Sequence, residues 1–157
     1  MACSPSCAAI RPAADDLARL MILALDPSAL LQRHTGGPHH RLVNDAMAAA
    51  DTWAISDLAR AELLMALHRS APDPYTAADL AAAARADIDA MLVVPIDERC
   101  LGRAVEIGTL YGLTTVDAVH LAAHDRLPRP IRFATLDFRQ IPAAVALDFE
   151  VITPEVA

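Results

Sequence analysis

The sequence predicts an α/β fold, a three-layer sandwich around a central, mostly parallel five-stranded sheet. Three observations carry this. Short apolar runs recur along the chain with helical stretches between them, the order expected of strand–helix–strand crossovers. The first run, Leu20-Met21-Ile22-Leu23-Ala24-Leu25, shows no polar alternation, as a strand buried on both faces requires. The hydrophobic fraction, 55% of 157 residues, comes mostly from Ala and Leu in helical patterns, and no apolar run reaches the ~18 residues of a membrane span. That length suits one domain.

The elements follow in order. Strand one ends at Asp26-Pro27-Ser28, where Pro27 suits the first helical position and Asp26 its N-cap. That helix runs to about residue 34, a turn at Gly36-Gly37-Pro38 follows, and a second helix reaches about residue 50. Trp53-Ala54-Ile55-Ser56 reads as strand two and leads directly into a helix over 57–69. Pro72 and Pro74 punctuate, and an Ala-rich helix spans about 76–90. Strand three is 91–95; Asp97 opens a helix that Gly112 closes, and another covers about 115–126. Pro128 and Pro130 break it, strand four is 131–136, a helix over 138–146 follows, and strand five is 149–152. Residues 1–20, with no clear period, read as an N-terminal extension outside the native product or disordered, with Met21 as a plausible start; residues 21–157 form the domain.

Composition excludes several chemistries. The net charge is −7, the wrong sign for nucleic-acid binding through bulk electrostatics. All 13 basic residues are Arg, so a P-loop or a Schiff base, each of which needs Lys, is ruled out. Cys3, Cys7 and Cys100 are too scattered for a disulfide framework, and the first residues make a poor signal peptide, so the cytoplasm is the expected location.

The candidate chemistry lies in carboxylates. In open α/β sheets ligands bind at the carboxyl ends of the strands. Asp26 ends strand one, Asp137 ends strand four, Glu62 lies in the second turn after strand two, and Asp117 opens the helix before strand four. Each has a structural alternative. Asp26 and Asp137 can be helix caps, and Thr114-Thr115-Val116-Asp117 can be a capping box. Glu62 can pair with Arg60 or Arg69, although its neighbours Leu58, Ala59, Met65 and Ala66 make an apolar stripe and Arg60 is on another face. Taken together, four acids with no Lys and little Arg at the same strand ends call for a cation, and hard oxygen ligands suit Mg²⁺ or Mn²⁺. Such ions activate water and stabilise charge in a phosphodiester displacement.

These residues resemble the PIN-domain family. Ile22-Leu23-Ala24-Leu25-Asp26-Pro27-Ser28-Ala29-Leu30 is similar to its opening strand and D-x-S-A-L block. Ser56-Asp57-Leu58-Ala59-Arg60-Ala61-Glu62-Leu63 looks like the second block, and Gly112-Leu113-Thr114-Thr115-Val116-Asp117-Ala118-Val119-His120-Leu121-Ala122-Ala123 like the third. Ala134-Thr135-Leu136-Asp137 looks like the fourth, and Val151-Ile152-Thr153-Pro154 like the ending. The resemblance spans about residues 21–154 and implies a VapC-type toxin of a toxin–antitoxin pair. Such a toxin is a Mg²⁺-dependent endoribonuclease that cuts RNAs such as tRNA or rRNA and is held inactive by a VapB-type antitoxin. It implies Asp26, Glu62, Asp117 and Asp137 as catalytic metal ligands, with Ser28, Thr135 and His120 supporting them or the substrate. It also implies a homodimer or a toxin–antitoxin hetero-oligomer.

Pro27 departs from the family's frequent Thr and removes a hydroxyl and a backbone donor, which leaves Ser28 to orient Asp26 alone. His120 and His124, four apart on one helix, can be read as metal ligands, or His120 as a group hydrogen-bonded beneath the site. His34, His39, His40 and Arg41 form a local cationic patch or a solvated loop, and Arg126, Arg129, Arg132 and Arg139 lie near strand four. The apolar faces of 77–90 and 101–110 read as core, or as a dimer or antitoxin surface. The rival to a nuclease is an inactive PIN-like module that binds RNA or protein.

Overall fold

A computed structural model describes residues 20–154. Almost all of the expected extension, with Cys3 and Cys7, lies outside the described residues, as do 155–157. The elements are β1 (Ile22–Leu25), α1 (Pro27–Thr35), α2 (His40–Ala48), β2 (Thr52–Ser56), α3 (Asp57–Ser70), α4 (Pro74–Asp89), β3 (Leu92–Val94), α5 (Glu98–Tyr111), α6 (Thr115–His124), β4 (Ile131–Ala134), a 3₁₀ turn (Phe138–Gln140), α7 (Ile141–Ala146) and β5 (Phe149–Ile152). Every strand pairing is parallel and the sheet order is β3-β2-β1-β4-β5. The expected sandwich and five-stranded sheet are therefore what the chain forms.

β1 shows why the apolar run lacks alternation. Ile22 and Ala24 point into one core with α5, α6 and α7, while Leu23 and Leu25 point into the other with α1 to α4. Leu23, Ala24 and Leu25 are fully buried. Both faces of the central strand are covered, so a polar residue on either would be stranded from water.

The boundaries differ from the sequence reading where caps decide them. α4 begins at Pro74 rather than near residue 76, because the Asp73 carboxylate accepts from the backbone N–H groups of Tyr75 and Thr76 and Pro74 needs no donor in the first turn. β1 begins at Ile22, β3 loses one residue at each end, and β4 stops at Ala134, where the chain leaves the ladder for the loops of the carboxyl edge. The stretch expected as one helix over 138–146 splits into the 3₁₀ turn and α7, with Asp137 capping the turn through the Arg139 N–H. Gly36 and Gly112 close α1 and α5 with φ of 63° and 65°, values glycine reaches without a Cβ penalty.

The cationic patch expected around the first turn divides. His34 turns inward, with Nε2 3.2 Å from Asp87, while exposed Arg41 lies 3.9 Å from Asp45. Burial lowers the pKa of His34. Asp87 also takes a two-pronged contact from Arg33, which tethers α1 to α4. Among the described residues no helix is long and apolar enough to cross a membrane.

His124 is fully buried against the ring of Phe133, at 5.6 Å between centroids, and neither ring nitrogen has a hydrogen-bond partner among the described residues. That position cannot serve a metal jointly with His120, because His124 sits within the core. Burial, and then the neighbouring His120, push its pKa from 6.5 down to about 3. Between those values the unfolded chain binds a proton that the folded chain refuses. The stability tied to a neutral His124 is thus complete above pH 6.5 and is lost as the pH falls. His124→Leu is expected to stabilise the fold by about 1–2 kcal/mol at pH 7 by removing an unsatisfied buried donor. Its advantage should widen by about 2 kcal/mol at pH 5. Urea unfolding at the two pH values measures both; an unchanged difference would refute the burial of a neutral imidazole.

Candidate active site

The sheet order reverses beside β1, which has β2 on one side and β4 on the other. Crossovers leave that point on opposite faces, so a crevice opens at the carboxyl ends of β1 and β4. A cleft of about 200 Å³ lies there, lined by Asp26, Pro27, Ser28, Glu62, Val116, Asp117, His120, Asp137 and Gln140. All four acids singled out in the sequence therefore line one cleft. They arrive from different layers: Asp26 from the sheet, Glu62 from α3 on one face and Asp117 from α6 on the other.

Asp26 is 4% exposed. Its N–H donates to the Ala134 carbonyl at 3.0 Å, which ties the end of β1 to the end of β4. Its Oδ2 accepts from the Ser28 N–H at 2.9 Å and from the Ser28 hydroxyl. Asp26 is thus both a helix cap and a cleft carboxylate, so the two readings do not compete. The Ser28 hydroxyl also accepts from the Leu136 N–H at 3.0 Å and fastens the loop after β4. The expectation that Ser28 alone orients Asp26 fails, because Gln140 Nε2 donates to Asp26 Oδ1 at 3.0 Å.

The same nitrogen donates to Asp117 Oδ1 at 3.1 Å, so one neutral amide bridges two carboxylates. Asp117 Oδ2 accepts from the Thr114 hydroxyl at 2.5 Å, and Thr114 in turn caps α6 by accepting from the Asp117 N–H. The side chain of Asp117 is 13% exposed. Thr135, 1% exposed, lies behind this pair; its hydroxyl is 3.5 Å from Gln140 Oε1 and accepts from the Asp137 N–H.

Glu62 pairs with neither Arg60 nor Arg69. Arg60 reaches Asp57 instead, and Glu62 Oε2 takes a 2.5 Å hydrogen bond from His120 Nε2 across the cleft floor. His120 is 1% exposed, and its Nδ1 lies 2.7 Å from the Ser56 hydroxyl. That hydroxyl also accepts from the Ala59 N–H. The Glu62 carboxylate can only accept, so Nε2 carries the proton it receives, and in the neutral ring Nδ1 accepts from the Ser56 hydroxyl. The chain Ser56–His120–Glu62 joins β2, α6 and α3.

Asp137 has a different partner. Arg139, two residues on, donates to it through Nε at 3.0 Å and through a terminal nitrogen at 2.6 Å, and reaches 3.7 Å from Asp117. These side-chain hydrogen bonds, and after them the Arg139 backbone N–H, hold the Asp137 carboxyl below its ordinary 3.8. The expectation of little Arg at these strand ends is therefore corrected: a guanidinium, 68% exposed, sits at the cleft mouth. It arrives through the tight 3₁₀ turn, which helical periodicity did not signal.

The donor set fits a hard divalent cation in kind, being made of carboxylate oxygens with room for water. Its packing is looser than a cage: among the described residues no three His, Cys, Asp or Glu side chains close on one point. Asp26 and Asp117 come nearest, joined through Gln140, whereas Asp137 is turned to Arg139 and Glu62 to His120. Sequence reasoning missed Gln140 and Ser56 at this cleft and placed Arg139 only among the arginines near strand four. Gln140 precedes the apolar run Ile141-Pro142-Ala143-Ala144, where a lone amide reads as surface.

Comparison with known proteins agrees with the fold. Residues 23–125 match the family described as PIN domain. A toxin–antitoxin complex from Klebsiella pneumoniae superposes with a TM-score of 0.63 at 20% identity, covering 86% of this chain and 99% of that one. VapC20 of Mycobacterium tuberculosis, described as a sarcin–ricin loop cleaving toxin, gives 0.63 at 18%, covering 77% and 94%. VapBC2 from Rickettsia felis, solved on a promoter DNA fragment, gives 0.61 at 13%, covering 86% and 100%. These likenesses share the fold. A search of curated proteins gives no significant match.

Arg139→Ala is expected to raise the Asp137 pKa toward 3.8, read by carboxyl NMR. In the parent, the stability from this group is present above pH 3.8 and is lost as the pH falls through the lowered folded value. The variant should lose less stability across that interval. An unmoved titration would show that Arg139 does not hold Asp137.

Proposed function

The chain belongs to the PIN domain family, and we propose that it is a Mg²⁺-dependent endoribonuclease, served also by Mn²⁺, acting as the toxin of a VapBC-type toxin–antitoxin pair. The observation that carries this reading is the meeting of Asp26, Glu62, Asp117 and Asp137 in one cleft at the point where the strand order reverses. In this reading Asp26 and Asp117 hold the cation, with Glu62 and Asp137 as further carboxylates for it or for its water. The bound cation supplies neutralising charge and a water activated for in-line attack on a phosphodiester.

The chain's own groups prepare that cleft. Ser28 and Gln140 hold Asp26 with neutral donors, which leaves its negative charge to be balanced by a cation. His120 fixes one oxygen of Glu62, while Oε1 has no hydrogen-bond partner among the described residues and stays available as a proton acceptor. Arg139 is the guanidinium that contacts the cleft acids, and release from Asp137 would let it meet an RNA phosphate.

A VapB-type antitoxin is the proposed partner, supported by the toxin–antitoxin complexes among the similar structures. The expected apolar face of α4 is largely Ala in the core, whereas α5 leaves Leu101, Val105 and Leu110 exposed beside a groove of about 400 Å³. That groove is the apolar surface offered to an antitoxin or to a second copy of the chain.

The test is cleavage of RNA by the purified protein in Mg²⁺ and in Mn²⁺, with Asp26→Asn in parallel. Asp26→Asn keeps the size of the side chain and removes its charge, and should slow cleavage by on the order of 10²–10³-fold. Equal cleavage by the two proteins would place the reaction outside this cleft. Mn²⁺ binding without cleavage would favour a binding module.

A further inference from the structure

Gln140 carries an inference that deepens the proposed reading and rests on it. Its side chain is 1% exposed and makes no cap bond to α7, although the residue stands at that helix's N-cap position. Its contacts are all toward the cleft: Nε2 donates to Asp26 Oδ1 at 3.0 Å and to Asp117 Oδ1 at 3.1 Å, and Oε1 lies 3.5 Å from the Thr135 hydroxyl. The orientation of the amide follows from its partners. Two carboxylates can only accept, so the NH₂ must face them, and Oε1 takes the side where a hydroxyl can donate.

We infer that Gln140 is a positioning residue that sets the separation of Asp26 and Asp117 for a divalent cation. A guanidinium or ammonium at this place would neutralise the pair and compete with the cation. An amide supplies two directional donors and no charge, so apart from the 3.7 Å approach of Arg139 to Asp117 the mutual repulsion of the carboxylates is left for the cation to relieve. Its hydrogen bonds also use one oxygen of each acid. Asp26 Oδ2 is held by Ser28 and Asp117 Oδ2 by Thr114, so every carboxylate oxygen of the pair has a protein donor. Among the described residues Gln140 is the one hydrogen-bond donor common to both, and it belongs to the turn that also carries Arg139. Residue by residue, the Phe138–Gln140 turn thus delivers a cation to Asp137 and a neutral bridge to Asp26 and Asp117.

The experiment compares full-length wild type, Gln140→Met, Gln140→Glu and Asp26→Asn, by Mn²⁺ titration and by thermal unfolding with and without Mn²⁺. Gln140→Met keeps the length and removes both donors; its Mn²⁺ affinity should fall about tenfold or more. Its kcat on RNA should fall while KM stays near wild type. Gln140→Glu adds a third negative charge, so it should unfold at a lower temperature without metal and gain more from Mn²⁺ than wild type does. A residue that only supports α7 would lower both melting temperatures equally and leave the Mn²⁺ affinity unchanged. That result in Gln140→Met and Gln140→Glu, with Asp26→Asn still losing Mn²⁺, would overturn the role of Gln140 and leave the metal site standing. Wild type that binds no Mn²⁺ would overturn the metal reading and this inference together.

Discussion

The parallel pairing of β1 with β4 is the constraint on which the cleft depends. The two strands are far apart in sequence, and the contact between Leu136 N–H and the Ser28 hydroxyl spans 108 positions. Bringing them together costs chain entropy that only burial can offset. β1 offers that burial on both faces, with Leu23 and Leu25 toward α1 to α4 and Ile22 and Ala24 toward α5 to α7. Once the register Leu25 to Ala134 is fixed, Asp26 lies beside the loop of Thr135 and Asp137 with no further choice to make. A slip of one residue would exchange the two faces of β1 and empty both cores, so the geometry of the cleft inherits the stringency of the core.

The four carboxylates are not equivalent, and their partners say why. Asp26 and Asp117 receive only neutral donors from Ser28, Gln140 and Thr114, apart from the 3.7 Å approach of Arg139 to Asp117. Glu62 receives an imidazole N–H, and Asp137 a guanidinium. Among the described residues only Asp137 of the four takes guanidinium hydrogen bonds, and this asymmetry separates it from Asp26, Asp117 and Glu62. The Ser56–His120–Glu62 chain is a separate device. It passes from one helical layer to the other at the sheet edge, so α3 and α6 cannot shift relative to each other without breaking the part-buried His120–Glu62 hydrogen bond.

Much of this was legible in the sequence, and the rest was hidden for physical reasons. Strands buried on two faces announce themselves by unbroken apolar runs, and Asp26, Asp117 and Asp137 are marked by cap positions at element boundaries. Caps were also the source of ambiguity, because the sequence presents capping and function as alternatives. The structure shows that a capping carboxylate can also face the cleft: Asp26 caps α1 through Oδ2 and meets Gln140 through Oδ1. A carboxylate has enough lone pairs for both. What the sequence could not show were contacts made across the fold by side chains without a local pattern. Gln140 reaches back 114 positions to Asp26, and His120 reaches 58 positions to Glu62. The 3₁₀ turn that aims Arg139 is likewise invisible to a reading based on helical period.

The distribution of arginine bears on how an acidic chain can meet an acidic substrate. Arg33, Arg103, Arg126, Arg129 and Arg132 are bound to Asp87, Asp125, Asp97, Asp125 and Glu150 respectively, several through more than one nitrogen. The planar guanidinium suits such two-pronged contacts between elements, which a Lys ammonium would make poorly. Five of the thirteen Arg are thus held in contacts between segments of the fold. A broad basic track for RNA is not available from residues already bound to carboxylates. On the proposed reading, attraction within the cleft would come from Arg139, which can trade Asp137 for a phosphate, and from the cation held by Asp26 and Asp117. Recognition would rest on the shape of the cleft and on the RNA presented to it rather than on long-range charge.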